Sequence, residues 1–368
     1  MEIRERFVLR AKSPKESMSG LCREFGISRK TGYKWLQRFE QRGVEGLRDQ
    51  SRRPRLSPRV GGETVLRVLE LHAQYRWGPK KLHALLRREQ VAQVPSARTV
   101  ARILRRAGIG PKRCRVERIP SAAPTKAPSV VAQSPNDVWT LDFKGWWRAR
   151  NGERCDPLTV RDALSRYVLC ARIMESHATE LVQREFERLF RKFGLPKVLQ
   201  FDNGEPFAAL QARGAVTRLS AWWISLGITL VRSRPGKPQD NGAHERMHGD
   251  IMREVESHPA QSRLAQQRAL STWRRRFNDV RPHEALDMRT PSELYRPSDR
   301  PYAGPCAPTY MEKWLVRRVS AKGFVKINGA QVFIGEGLVG QEIGLEPVDN
   351  GHRAWFYSVD LGLLRRAA

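Results

Sequence analysis

The stretch DVWTLDFKG, residues 137–145, carries Asp142 inside a short and mainly apolar run. Apolar and β-branched residues that end at a glycine predict a β-strand. An aspartate inside a strand is unfavourable, because it adds no apolar packing and costs free energy when it is buried without a partner. Asp142 therefore indicates a chemical role at this strand.

Strand-like and helix-like stretches alternate after this strand. The predicted strands are DPLTVRDAL, YVLCARIM, KVLQFD and ITLVRS, at residues 156–164, 167–174, 197–202 and 228–233. An amphipathic helix precedes KVLQFD, a second helix carries Leu219, Trp222, Trp223 and Leu226, and a third follows GKPQDNG. This order predicts a mixed α/β domain, which we place at residues 135–300.

Two more carboxylates occur later in this pattern. KVLQFD ends in Asp202, and PGKPQDNGAHERMHGD, residues 235–250, carries Glu245 near the predicted start of a helix. Carboxylate oxygens suit Mg²⁺ or Mn²⁺, and two such ions about 3.5–4 Å apart can activate a nucleophile and stabilise a leaving oxygen at a phosphate. Asp142, Asp202 and Glu245 are therefore candidate metal ligands. Asp156 and Asp162 are interpreted as carboxylates paired with basic residues.

The charge of the chain indicates its partner. Lys and Arg outnumber Asp and Glu 67 to 38 in 368 residues, which gives a formal net charge of +29. Residues 1–120 hold 30 of these cations against 11 acids. Such a surface attracts polyanions, so we predict double-stranded DNA as the partner and the first third as the main binding region. A basic ribosomal or membrane-surface protein is the alternative.

Residues 17–42 have a helix–turn–helix pattern within a predicted domain at residues 1–58. Gly26 allows the turn, and Ser28 is a good N-cap for the second helix. In this motif the start of the second helix points into a major groove. The predicted DNA-binding residues there are Arg29, Lys30, Thr31 and Lys34. A helical hairpin with a solvated basic face is the alternative.

Three more amphipathic helices predict a second helical DNA-binding domain at residues 59–110, with Pro79 in a first turn and Ser96 as an N-cap. The alternative is a helical spacer with exposed arginines. Residues 111–134, rich in Pro, Ala and Ser, are expected to be a linker. Short alternating stretches with Asn328-Gly329 and Asn350-Gly351 turns predict a small β-barrel at residues 305–368.

The remaining composition narrows the compartment. The five cysteines have no C-x-x-C spacing, so neither a zinc site nor a disulfide framework is supported, and reduced thiols are expected. The sequence contains no run of about 18 apolar residues, which predicts no membrane span. We expect a soluble cytoplasmic protein.

Three blocks together resemble a known family. WTLDF, FDNG and GKPQDNGAHERMHGD are similar to the catalytic core shared by retroviral integrases and many bacterial insertion-sequence transposases, and RPHEAL, residues 281–286, resembles the segment that commonly follows it. The resemblance covers nearly the whole chain. It implies a ribonuclease-H-like core, a DDE triad of Asp142, Asp202 and Glu245, Mg²⁺ that Mn²⁺ can replace, and a homo-oligomer assembled on DNA.

The spacing departs from the family pattern. Asp202 and Glu245 are 43 positions apart, whereas the family usually has a number in the middle thirties, so the loop around FAALQARGAVTR is predicted to be longer. Asp240 and Asp250 are rivals of Glu245; the first fits a helix start better, and the second falls on another helical face. His244 and His248 are interpreted as helix-covering residues, with phosphate contact as the alternative.

The resulting hypothesis is a DDE transposase with the multidomain order of helix–turn–helix units, ribonuclease-H-like core and β-barrel. It would bind terminal inverted repeats, free a 3′ end by metal-dependent cleavage and transfer that end into target DNA. Lys237 and Arg246 are predicted to contact DNA beside the triad. Two alternatives stay open, a transposase-derived DNA-binding regulator and a metal-dependent nuclease without strand transfer.

Overall fold

The computed structural model describes residues 2–14, 16–49, 60–110, 130–202, 207, 214, 216–233, 242–349 and 351–365. The chain divides into two units, Met1–Gly61 and Gly62–Ala368. Within the described ranges, no helix combines the length and the apolar character that crossing a bilayer requires.

The first unit is helical. Its helices are α1 (Glu2–Ala11), α2 (Met18–Glu24) and α3 (Arg29–Arg42), followed by a 3₁₀ turn at Gly43–Leu47. Gly26 takes a φ of +62° in the turn, and the Ser28 side chain accepts a hydrogen bond from the Thr31 backbone N–H, as predicted for an N-cap. The helix α1 was not predicted. Its buried Phe7 and Val8 pack with Leu21 and Cys22 of α2.

The second unit begins with the three predicted helices, α4 (Gly62–Tyr75), α5 (Pro79–Arg88) and α6 (Ala97–Arg106). Pro79 stands in the first turn of α5, and the Ser96 side chain caps α6 by accepting from the Thr99 N–H. Two exposed ion pairs join these helices to the end of the core, Lys80–Glu284 at 2.6 Å and Arg88–Glu293 at 2.8 Å.

A mixed sheet forms the centre of this unit. Its order is β4-β3-β1-β5-β6, with the short β2 also paired to β3. Strand β1 pairs antiparallel with β3 and parallel with β5, and β6 continues in parallel. This is the ribonuclease-H-like arrangement that the resemblance predicts. The strands are β1 (Val138–Phe143), β2 (Trp147–Arg148), β3 (Arg154–Asp162), β4 (Val168–Met174), β5 (Val198–Phe201) and β6 (Thr229–Arg232).

Helices cover both faces of the sheet. Trp139 and Leu141 of β1 pack with Phe186 and Trp223 of the helices on one face. On the other face, Met247 and other apolar residues of two further helices pack against β3 and β4. The helices are α7 (Thr179–Phe193), α8 (Arg218–Ser225), α9 (Gly242–Ile251), which continues as a π-turn at Met252–Glu256, α10 (Arg263–Asp279) and α11 (Pro291–Leu294), with a 3₁₀ turn at Glu284–Leu286.

The predicted C-terminal barrel is not confirmed. The described strands form an open sheet in the order β12-β11-β10-β7 and a separate β8–β9 hairpin. The apolar face of this sheet, including Ile343 and Phe356, is buried by Ala221 and Ile224 of α8 together with Val325 of β8, so residues outside the four strands complete its core. The strands are β7 (Leu315–Arg318), β8 (Phe324–Ile327), β9 (Ala330–Phe333), β10 (Glu342–Val348), β11 (Gly351–Phe356) and β12 (Val359–Arg365).

Of the two hairpin turns predicted in this region, only one lies fully within the described residues. Asn328 and Gly329 both have positive φ, 49° and 87°, between β8 and β9, which is the hairpin turn predicted for them. Asn350 lies outside the described residues. Strand β12 was not predicted, because LGLLRR lacks the alternation of apolar and polar residues that marks a half-buried strand.

Candidate active site

Strand register places the first two aspartates side by side. Thr140 of β1 pairs in parallel with Gln200 of β5. Continuing this register by two residues sets Asp142 opposite Asp202, on strands about 4.8 Å apart and on the same face of the sheet. On the other side of β1, Asp142 pairs with Thr159 of β3. One row of this face therefore reads Thr159, Asp142, Asp202.

A second row lies two residues away on the same face. It contains Arg161 of β3, Thr140 of β1 and Gln200 of β5. Helix α9 covers this face, because side chains from both rows bond to it. The Arg161 guanidinium donates to the Ala243 carbonyl at 2.7 Å, and Thr140 Oγ1 lies 3.0 Å from His244 Nδ1.

The hydroxyl of Thr159 joins helix α9 to strand β1. It donates to the Asp142 carbonyl at 2.9 Å, and it lies 2.7 Å from His244 Nε2 and 2.8 Å from His248 Nε2. A hydroxyl has one proton and can accept two hydrogen bonds. Both histidines must therefore donate from Nε2 to Thr159, which assigns the tautomers from the hydrogen-bond pattern.

The same pattern fixes the other ring nitrogens. His244 Nδ1 accepts from Thr140, and His248 Nδ1 has no proton where it faces Asp142 Oδ2 at 4.0 Å. Burial lowers the pKa of His244 well below its ordinary value, with the charge of His248 adding to it, and burial lowers that of His248 to about 4. The contact with Asp142 is therefore not an ion pair at neutral pH. His248 presents a lone pair to the candidate metal site.

The three predicted triad members lie within electrostatic reach of one another. The pKa of Asp142 is raised to about 7, first by burial and then by the charge of Asp202, with a smaller contribution from Glu245. A hydrogen bond from the Phe143 backbone N–H opposes this rise. Asp202 and Glu245 are exposed, whereas only 23% of the Asp142 side chain is. The arrangement is a cleft with one recessed carboxylate and two at its rim.

The chemistry of these donors fits a hard divalent cation. Burial, and next the negative charges of Asp202 and Glu245, disfavour the charged form of Asp142, and a cation bound between the carboxylates would offset both effects. Among the described residues, no three His, Cys, Asp or Glu side chains already stand close enough together to hold an ion. Residues 203–206 and 234–241, which adjoin Asp202 and helix α9, are outside the described ranges.

The other acids have different partners. Asp250 bonds to Arg253, and it lies 2.8 Å from Arg281. Asp156 Oδ2 lies 2.8 Å from Arg154 and 3.0 Å from His177.

Asp162 faces the opposite side of the sheet from Arg161. Its two oxygens accept from the Asn136 N–H and from both the N–H and hydroxyl of Ser165. Asp162 is therefore saturated with donors. Asp240 and Lys237 lie outside the described residues.

The RPHEAL segment supports helix α9 through a residue whose role was not foreseen. Arg281 is 6% exposed, lies 2.8 Å from Asp250 and 2.9 Å from Glu254, and stacks over Trp77 and Phe277. It fixes the end of the helix that begins beside Glu245. The arginine in the motif was visible in the sequence, but its carboxylate partners were not.

The predicted DNA-binding residues of the first unit lie together at the start of α3. Arg29, Lys30 and Lys34 are exposed. Thr31 is half-buried, and its hydroxyl lies 2.9 Å from that of Ser28, so part of its hydrogen-bonding capacity serves the helix cap. Arg246, exposed on α9, follows Glu245 directly.

Family models match both parts of the chain. Two models described as Integrase core domain match residues 132–238 and 226–291. Models described as Helix-turn-helix domain and Homeodomain-like domain match residues 3–55 and 31–104. The integrase-core matches include the strands and the helix that carry Asp142, Asp202 and Glu245.

Several known proteins are similar to this chain. The Insertion element IS407 uncharacterized 31.7 kDa protein of Burkholderia multivorans is 31% identical over 236 residues, which cover 62% of this chain and 79% of the relative. The Insertion element IS476 uncharacterized 39.2 kDa protein of Xanthomonas euvesicatoria is 27% identical over 232 residues, which cover 62% and 63%. A solved simian T-cell lymphotropic virus intasome in complex with PP2A regulatory subunit B56 gamma aligns with a TM-score of 0.40 and 16% identity, over 82% of this chain and 100% of that one.

Proposed function

We propose, since this chain belongs to the integrase-core family of insertion-element proteins, that it is a DDE transposase that cuts and joins the ends of its own element. The observation that carries the proposal is that the charges of Asp202, which follows β5, and of Glu245 on α9 act on the recessed carboxylate of Asp142 on β1. Burial, and next the negative charges of Asp202 and Glu245, raise the pKa of Asp142 to about 7. A carboxylate with a shifted pKa in a cleft is typical of a functional site, and a basic protein surface attracts a polyanion.

Asp142, Asp202 and Glu245 would hold Mg²⁺, or Mn²⁺ in its place. When bound there, the metal supplies positive charge that stabilises a reacting phosphate and activates an oxygen nucleophile. The chain itself contributes position. Strand register holds Asp142 beside Asp202, and the Thr159 hydroxyl ties Asp142 to the histidines of the helix that carries Glu245.

The proposed reaction has two steps of one kind. Water attacks the phosphodiester at the element end, the bond to the leaving oxygen breaks, and a 3′-hydroxyl is freed. That hydroxyl then attacks a phosphodiester of target DNA, and the displaced oxygen leaves as a new 3′-hydroxyl. Neither step needs a nucleophile from the protein, so the side chains of the cleft serve to bind and to orient.

We assign end recognition to the helical units at residues 1–58 and 59–110, with Arg29, Lys30, Thr31 and Lys34 reading the major groove. Residues 111–134 link them to the core at residues 135–300, and residues 305–368 follow it. Lys237 and Arg246 would contact DNA backbone beside the triad. Two ends must be brought together for transposition, so we propose a homo-oligomer on DNA, acting in the cytoplasm at the nucleoid.

The direct test is cleavage of a labelled duplex that carries the terminal inverted repeat bordering the gene. Wild type in Mg²⁺ should cut at the repeat boundary and join the freed 3′ end to a second duplex. Glu245→Gln should lose both reactions by several orders of magnitude while its gel-shift affinity is kept, because the lost charge acts in the chemical step. Exposed Glu180 on α7 provides the matched control, Glu180→Gln, which should keep both reactions.

The outcomes separate the alternatives. Absence of cleavage by wild type in Mg²⁺ or Mn²⁺, with end binding intact, would replace the transposase by a DNA-binding regulator. Cleavage without joining would leave a nuclease. Normal cleavage by Glu245→Gln would remove that residue from the metal site.

A further inference from the structure

A cavity of about 690 Å³ lies between the first turn of α9 and the sheet. Thr140 and Gln200 line it, and these are the residues two positions before Asp142 and Asp202 on the same face. Two residues of strand span about 6.6 Å. The cavity therefore lies one such step from the carboxylate row, a distance comparable to that between neighbouring phosphates along one DNA strand.

Three arginines line this cavity, Arg161, Arg166 and Arg246. Arg161 is only 4% exposed. One of its nitrogens donates to the Ala243 carbonyl, but its Nε has no hydrogen-bond partner among the described residues. A buried guanidinium donor without a partner is costly, because it has lost its water and gained nothing in exchange. Arg161 therefore brings a buried positive charge to the wall of the cavity.

The charges around the cavity repel one another. Burial, and next the charge of Arg166, lower the pKa of Arg161 to about 10. Burial and the charge of Arg246 lower that of Arg166. The charge of the nearest acid in sequence, Asp162, partly offsets this lowering of the Arg161 pKa, although its oxygens also accept from the Asn136 and Ser165 donors described above. Glu245 is the single acid that lines the cavity within the described part of the chain, and it is exposed at the rim.

Helix α9 adds to the positive potential. Its first residues, Gly242 and Ala243, line the cavity, and the helix has ten residues. The positive end of the helix dipole therefore lies at the same place as the three guanidinium groups. An apolar wall of Val130, Val131, Val138 and Leu164 completes the cavity.

We propose that this cavity binds a phosphodiester of the DNA strand, the one that neighbours the phosphodiester at Asp142 and Asp202. The proposal rests on the proposed function, because it places the substrate at the same cleft. An anion there offsets the repulsion among the arginines and the cost of burying the Arg161 charge. Guanidinium groups suit the non-bridging oxygens of a phosphate, which accept several hydrogen bonds at once. The apolar wall then faces the sugar.

The test couples single arginines to single phosphates. Each phosphate near the cleavage position of the terminal-repeat duplex is replaced in turn by a neutral methylphosphonate, and binding is measured by full-length wild type, Arg166→Gln and Arg246→Gln. Arg161 is left unchanged, because it also supports helix α9. Exposed Arg268 on α10 gives the matched control, Arg268→Gln, which removes the same charge elsewhere.

Wild type and Arg268→Gln should lose about tenfold in affinity at one particular neutral linkage next to the cleavage position, the loss expected for a charge-assisted hydrogen bond. Arg166→Gln and Arg246→Gln should bind the unmodified duplex more weakly, with a salt dependence lower by about one charge each. Making that particular linkage neutral should then reduce their affinity only slightly further.

Equal losses in all four proteins at every position would overturn the phosphate site. Cleavage of the unmodified duplex is measured on the same preparations. If the affinity loss at one linkage depends on these arginines but wild type does not cleave, the cavity is a DNA site and the transposase is refuted. If wild type cleaves but the loss does not depend on the arginines, the transposase stands and the phosphate site is refuted.

Discussion

Asp142→Asn is expected to stabilise the metal-free protein above pH 7 and to change its stability little below pH 4. In the folded chain, burial and the charges of Asp202 and Glu245 raise the pKa of Asp142 from 3.8 to about 7. A carboxyl whose pKa is raised by folding binds its proton more tightly in the folded state. The native state therefore loses stability as pH rises from about 4 to about 7, and the whole penalty is present above pH 7.

The magnitude follows from that pKa. A rise of about three pH units corresponds to about 4 kcal/mol at about 1.36 kcal/mol per unit. Only 23% of the side chain is exposed, so solvent screens the effect only in part. Asparagine keeps the shape and an acceptor oxygen for the Phe143 N–H but has no charge to repel. The difference in unfolding free energy between Asp142→Asn and wild type should therefore grow by up to about 4 kcal/mol from pH 4 to pH 8.

Urea unfolding in EDTA, followed by tryptophan fluorescence at each pH, measures this difference, and titrating groups that do not interact with Asp142 cancel between the two proteins. Buried Trp139 and Trp223 report on the sheet that carries the site. Saturating Mg²⁺ at pH 8 should stabilise wild type strongly and Asp142→Asn much less, because a ligand stabilises only the state that binds it. A difference in unfolding free energy that does not change with pH would refute the argument that carboxylates repel one another at this site.

Three further substitutions test other contacts. Thr159→Val should destabilise the protein by about 2–4 kcal/mol in urea unfolding and slow end cleavage, because it leaves two buried ring N–H groups without an acceptor; Thr159→Ser, which keeps the hydroxyl, should restore both. Arg281→Met should cost about 3–5 kcal/mol in the same unfolding assay, since it leaves Asp250 and Glu254 without their cation, and an effect under 1 kcal/mol would contradict that role. Lys34→Gln should weaken DNA binding and lower its salt dependence by about one charge, whereas an unchanged salt dependence would place this exposed lysine away from phosphate.

The sheet could be predicted from the sequence because its signals are local. The apolar runs around Asp142 and Asp202 mark the strands, and the family blocks supply their order. The N-caps at Ser28 and Ser96 were predicted for the same reason, since a cap depends on residues within one turn of the chain. The C-terminal sheet shows the limit. Its strands alternate as expected, but whether they close depends on the residues of α8 that bury their apolar face.

The contacts around the site could not be predicted, because they join residues far apart in the chain. Arg161 appears in the sequence as one of many arginines inside an apolar stretch. Its position follows only from antiparallel pairing with Thr140, which places it under the first turn of α9. His244 and His248 were interpreted as helix-covering residues. The structure shows that they hold α9 to strand β1 through Thr159.

What separates the acids of this chain is the charge that faces them. In a protein with 67 Lys and Arg residues, an acid that serves the fold finds a guanidinium partner, as Asp250 does with Arg253 and Arg281. Asp142 is recessed from solvent instead, and the negative charges of Asp202 and Glu245 add to the rise in its pKa that burial causes. In the absence of a cation such a group does not stabilise the folded protein, so its position is explained by the ion that it binds and not by folding. Burial and the charges of neighbouring arginines lower the pKa of Arg161 and Arg166 beside it, where we propose that an anion binds. A cleft with repelling carboxylates in one row and repelling guanidinium groups one step away is suited to a metal ion and a phosphate strand together.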